Sequence, residues 1–165
     1  MRERLKQLSQ SERHTRSLRV CEKLDPLFFG KNSLGLFAPK PTEPDVDLLW
    51  SLGLVESHRV SYPRCETDSL SFRPVSALSE LVLGRFGIRE PGPGPGVKEL
   101  DLILVPGLAY TIEGSRLGRG AGFYDRFLSR TVGTILKVGI CFEFQLVTEI
   151  PHEPHDVKMD AIVYA

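Results

Sequence analysis

The chain has 165 residues, 41% hydrophobic and 25% charged, which suits one globular core, cramps a second, and leaves little room for long disorder. Lys+Arg and Asp+Glu each total 21, so no global field draws nucleic acid or an anionic membrane, and any anionic ligand must be held locally. Cys21, Cys65 and Cys141 are too scattered for a disulfide scaffold or zinc site, the opening MRERLKQLSQSER lacks an apolar export segment, and no apolar run nears the ~18–20 residues of a membrane span. A soluble protein of the reducing cytoplasm is expected.

Ser9 followed by Glu12 reads as a capping box, and Leu18, Cys21 and Leu24 then recur at helical spacing, which predicts an amphipathic first helix ending at Asp25-Pro26. Arg13, Arg16 and Arg19 form a solvated stripe on it, from which one side chain could reach an anion. SLGLFA (33–38) predicts a buried strand, and Thr42, Glu43 and Pro44 open a helix with Val46, Leu48, Leu49 and Leu52 inside and Gly53 as its stop. Residues 57–62 and 69–73 predict neighbouring strands closed by Pro63 and Pro74, while PGPGPG (91–96) is a loop because proline lacks a donor and glycine loses entropy. DLILV (101–105) is the strongest buried strand; a helix follows over 124–128, then strands over 135–142 and 161–164. Trp50, Phe28, Phe29 and Cys141 read as core, and His152, His155 and Asp156 in PHEPHD as a surface loop. The alternation of strands and helices predicts a three-layer α/β/α sandwich with a mostly parallel sheet.

The chemistry concentrates in SRLGRGAGFYDRF (115–127), where Gly118, Gly120 and Gly122 alternate with Arg116 and Arg119 directly before a helix. Such glycines permit positive φ and let backbone N–H groups converge on phosphate oxygens, and the helix adds its positive end. Each arginine offers charge-assisted donors worth roughly 1.5–3 kcal/mol per bond. An acid beside a polyphosphate suits Mg²⁺, which points to Asp125; as an exposed helix-start charge its folding contribution is about 1 kcal/mol. The same spacing also serves an ordinary strand-to-helix turn, and it matches neither the Rossmann fingerprint nor the Walker loop.

Taken together, DLILVPGLAY, EGSRLGRGAGFYDRFL and HDVKMDAIVY resemble the 5-formyltetrahydrofolate cyclo-ligase (5,10-methenyltetrahydrofolate synthetase) family, and FAPKPTEPDVD, SYPR and FGIREP resemble further family segments, in order, from Leu8 to Ala165. The resemblance implies a single Rossmann-like domain of the sugar-isomerase and CoA-transferase type. It also implies a monomeric cytoplasmic ligase that uses ATP and Mg²⁺ on 5-formyltetrahydrofolate, without nucleic-acid or membrane partners. By matching motif, Arg116, Leu117 and the run Gly118, Arg119, Gly120, Ala121, Gly122, Phe123 and Tyr124 would hold ATP, with Arg116, Arg119 and Tyr124 as the catalytic groups. Asp125 and Asp160 would hold Mg²⁺, and Glu43 with Tyr124 the folate. The family also carries a Lys and an Arg upstream of Ser9, at positions this sequence does not reach: either the chain is short at its amino terminus, or the activity is weakened, or another basic side chain substitutes; Ala121 stands where Gly or Lys is common. The alternatives are a non-catalytic folate- or nucleotide-binding relative and, disfavoured by zero net charge, an RNA-binding module.

Overall fold

The computed structural model of the chain describes residues 1–131, 134–151, 153 and 155–165. Two helices open it, α1 (Arg2–Gln7) and α2 (Gln10–Leu24). The break between them is the capping box: the Ser9 hydroxyl accepts from the Glu12 amide at 3.2 Å, and the Glu12 carboxylate accepts from the Ser9 amide at 3.1 Å. Next come β1 (Leu34–Gly35), α3 (Leu48–Ser51), β2 (Val60–Cys65), β3 (Leu70–Pro74) and a hairpin of β4 (Val82–Leu83) with β5 (Arg89–Glu90). Then follow β6 (Leu102–Pro106), a second hairpin of β7 (Ala109–Tyr110) with β8 (Arg116–Leu117), α4 (Phe123–Arg130), β9 (Leu136–Cys141) and β10 (Ala161–Tyr164).

Six strands form one sheet in the order β10-β9-β6-β1-β2-β3, parallel throughout except for β3, which returns antiparallel from β2. Both faces are covered, as parallel sheets require. Leu102 and Leu104 of β6 pack with Val20, Cys21 and Leu24 of α2 and Leu49 of α3, whereas Ile103 and Val105 pack with Leu128 of α4 and Tyr110 of β7. That alternation explains why DLILV reads as an unbroken apolar run; each fully buried aliphatic contributes about 1.5–3 kcal/mol. The expected α/β/α layering is therefore present. A smaller cluster, Leu5 with Leu108 and Phe142, seats α1 against the turn that follows β6.

Several local expectations shift. Pro63 lies inside β2 opposite Phe72 and does not close its strand, whereas Pro74, paired with Ser61, is the last residue of β3 as expected. The missing donor of Pro63 costs little, because β1 pairs only with Val60 and Ser61 and leaves that side of β2 without a ladder. Residues 57–59 form a 3-10 turn instead of strand. Only Leu34–Gly35 of the 33–38 segment is laddered; Leu36, Phe37 and Ala38 stay buried and carry the chain past the end of the sheet. The helix expected from Thr42 shrinks to one turn at Leu48–Ser51, since the Glu43 amide bonds back to the Lys40 carbonyl; Gly53, at φ +67°, does follow its end. Phe28 is core, but Phe29 is 92% exposed. His152 lies outside the described residues. Among those described, no helix is long and apolar enough to cross a membrane.

Candidate active site

The site grows from the C-terminal end of β6. After Pro106 the chain turns at Gly107, where a Cβ would lie 2.8 Å from the Tyr110 ring, so only glycine passes. Gln145, almost fully buried, fixes this turn: its Nε2 donates to the carbonyls of Gly107 and Leu108 at 3.1 and 3.2 Å, and its Oε1 accepts from the Phe142 amide at 2.8 Å. At the tip of the β7–β8 hairpin, Gly114 adopts φ +90° and its carbonyl accepts from the Met159 amide at 2.9 Å. With both ends anchored, β8 delivers Arg116 beneath the glycine loop.

The Arg116 side chain is 5% exposed and its Nη2 donates to Asp125 Oδ2 at 2.7 Å. Nη1 lies 3.4 Å from the Pro106 carbonyl, and Nε is buried without a partner among the described residues. A Cβ on Gly118 would sit 2.9 Å from Nη1, so that glycine provides space for the guanidinium, while Gly120 and Gly122 supply the positive φ values, +101° and +66°. Among the described residues, none of the backbone N–H groups from Arg119 to Gly122 has a protein acceptor, and no side chain caps α4. Arg126 braces the loop from below, donating to the Ala121 carbonyl at 2.8 Å and stacking over Phe123. Unfilled donors over a buried guanidinium form a cradle that fits phosphate oxygens.

Asp125 is thus the counter-ion of a buried arginine, its side chain 16% exposed, and the reading of it as a free helix-start charge is corrected: cutting a buried pair costs several times the ~1 kcal/mol of an exposed cap. Asp160 lies elsewhere. It bonds the Lys137 amide at 2.7 Å and Nζ at 2.8 Å, level with Ile103, whereas Asp125 sits near Pro106; three residues of β6 separate them, roughly 10 Å of strand rise. No cluster of three or more His, Cys, Asp or Glu able to hold a metal occurs among the described residues. His155 approaches Glu153 at 3.3 Å.

Across the loop stands Glu43, buried, in the segment that leaves β1. Arg119 Nε donates to Glu43 Oε1 at 2.9 Å and its Nη2 to Thr42 Oγ1 at 3.2 Å. The segment is clamped from α2. Arg13 Nε donates to the Glu43 carbonyl at 2.9 Å, and one turn later the Ser17 hydroxyl accepts from the Asp45 amide at 2.9 Å. Arg13 therefore leaves the solvated stripe to which its spacing assigned it.

Tyr124 lies half-buried between these groups, its ring 5.9 Å from the Arg116 guanidinium carbon. Burial, and then the Glu43 carboxylate, push its phenol well above the ordinary range, so it acts as an O–H donor. Burial likewise pushes the Cys65 thiol up to about 11, with Glu90 adding to the effect. Phe123 meets the exposed Phe86 of the β4–β5 turn edge-on at 5.9 Å, and Phe86 holds φ +61°, the sole positive value for a non-glycine among the described residues.

All of residues 1–165 match the model of the 5-formyltetrahydrofolate cyclo-ligase family. The chain belongs to that family. It is 36% identical over 140 residues to the 5-formyltetrahydrofolate cyclo-ligase of Mycolicibacterium smegmatis, covering 77% of this chain and 70% of that one. To the Mus musculus 5-formyltetrahydrofolate cyclo-ligase it is 28% identical over 181 residues, covering 99% and 89%. The NMR structure of Aquifex aeolicus 5,10-methenyltetrahydrofolate synthetase superposes with a TM-score of 0.84 at 34% identity, over 98% of this chain and 84% of that one. For a cyclo-ligase of this family, the sequence reading missed Ser17, Thr42 and Arg126, whose roles depend on which loops meet. The one advance signal was the three-residue recurrence of Arg13, Arg16 and Arg19.

Proposed function

We propose that the chain converts 5-formyltetrahydrofolate to 5,10-methenyltetrahydrofolate, turning ATP into ADP and phosphate. The observation that carries this reading is the Arg116 guanidinium, buried beneath the glycine loop, with its Nε and the loop amides from Arg119 to Gly122 free of protein partners among the described residues, in a chain of the cyclo-ligase family. The formyl oxygen of an amide leaves poorly. Moving the terminal phosphoryl of ATP onto it lets the oxygen depart as phosphate when the folate N10 closes the ring. The protein's share is positioning and charge stabilisation.

In this reading Arg116, Arg119 and the amides from Gly118 through Tyr124 grip the phosphates, and Leu117, Ala121 and Phe123 shape the same loop. Tyr124 offers its O–H to the reacting oxygen. Glu43 receives N–H donors of the pterin. Asp125, whose Oδ2 is paired with Arg116, would hold a Mg²⁺ accompanying the triphosphate, and that ion would supply neutralisation of the phosphate charge. The metal role of Asp160 rests on the resemblance alone, since its carboxylate is committed to Lys137. The partners are small molecules, the working unit is one chain, and three free cysteines suit a reducing cytoplasm.

Purified protein mixed with ATP, Mg²⁺ and 5-formyltetrahydrofolate is expected to accumulate methenyl product, read by its absorbance, with one ADP per product. Binding of both ligands without product would leave a non-catalytic relative and end the enzymatic reading.

A further inference from the structure

The group proposed for phosphate and the group proposed for folate hold each other in this fold. Glu43 Oε1 accepts from Arg119 Nε at 2.9 Å and lies 2.8 Å from Nη2, and Oε2 accepts from the Lys40 amide at 2.9 Å, so both carboxylate oxygens are in use. Neither residue can fully serve a ligand while the pair stands. Their freedom to move differs sharply. The Glu43 side chain is 6% exposed, its carbonyl is held by Arg13, its amide bonds the Lys40 carbonyl at 2.9 Å, and Ser17 pins Asp45 two residues on. The Arg119 side chain is 33% exposed, on a loop whose amides from Arg119 to Gly122 have no protein acceptor among the described residues and whose Gly120 has no neighbouring described atom within 4 Å of a Cβ position. Arg119 is the partner that swings.

We propose that Arg119 is a latch between the two substrate sites: a triphosphate draws it off Glu43, and the bared Glu43 Oε1 then receives an N–H donor of the pterin. The latch rests on the reading of the two ligands given above. A buried carboxylate stripped of its cation is unfavourable, so a ligand that supplies donors to Glu43 relieves what the nucleotide has opened. Linkage makes the effect reciprocal, each ligand tightening the other. The exchange makes and breaks no covalent bond.

The test is calorimetric binding of 5-formyltetrahydrofolate with and without the magnesium complex of β,γ-imido-ATP. Wild type is expected to bind folate roughly 5- to 100-fold more tightly with nucleotide present. Arg119→Gln is expected to bind folate alone more tightly than wild type does, and to gain nothing from nucleotide. A plain folate contact or a structural role would weaken binding instead. Glu43→Gln, which frees Arg119, is expected to bind the nucleotide alone more tightly than wild type, an independent check should the first variant melt early. Independent binding of the two ligands by wild type, or Arg119→Gln binding folate no more tightly than wild type, overturns the latch. If wild type binds neither ligand, the cyclo-ligase reading itself falls, and the latch with it.

Discussion

Replacing Asp125 by alanine removes the counter-ion of Arg116 and leaves a guanidinium whose side chain is 5% exposed with one weak bond to the Pro106 carbonyl. Stripping one partner from a fully buried pair costs about 3–5 kcal/mol. The Asp125 side chain is 16% exposed, which places this case lower, about 2–3 kcal/mol. At ~2–4 °C per kcal/mol for a chain of this length, the melting temperature drops by roughly 5–10 °C. The measurement is circular dichroism melting in phosphate-free buffer, repeated with inorganic tripolyphosphate. Because the polyanion replaces the missing carboxylate beside Arg116, it is expected to raise the variant's melting point more than that of wild type. Asp125→Asn, which keeps an acceptor oxygen for Nη2, is expected to fall between the two. A variant melting within about 2 °C of wild type, or indifferent to tripolyphosphate, would show that Arg116 does not depend on Asp125.

Gly114→Ala is expected to cost about 2–4 kcal/mol, since φ +90° is strained for alanine and its Cβ would lie 2.3 Å from the Met159 carbonyl oxygen, a backbone atom that cannot step aside. Melting together with nucleotide titration checks it: loosening the hairpin tip should weaken phosphate binding two residues away at Arg116, and intact affinity would refute the anchoring. Stability should also decline in alkali. Burial pushes the thiols of Cys21 and Cys141 up from 9.0 to about 12 and that of Cys65 to about 11, and raises the phenols of Tyr62 and Tyr110. Each group holds its proton more tightly folded than unfolded, so the stability it contributes is complete below about pH 9 and is lost as pH climbs toward 12. Urea midpoints measured from pH 8 to 11 should fall, and a flat profile would contradict the assignment.

Features written in neighbouring residues were legible in advance. The Ser9–Glu12 box starts α2, the apolar run at 101–105 becomes the doubly covered β6, and residues 161–164 form β10, because caps and periodicity act over a few positions. The glycine loop was equally visible, although Gly118 serves space and the other two serve φ. Pro63 misled because its tolerance depends on how far β1 runs beside it. Phe29 misled because hydrophobicity alone does not say which side of a turn faces the core. Charge partners were beyond reach as well: Arg119 meets Glu43 across 76 positions, and Arg13 meets the same residue across 30. The sequence by itself determined an α/β sandwich with a phosphate-shaped loop. Only the tertiary structure decided that the loop's cations are already spoken for, since parallel strands gather distant connections at one end of the sheet and the carboxylates found there set the pairing.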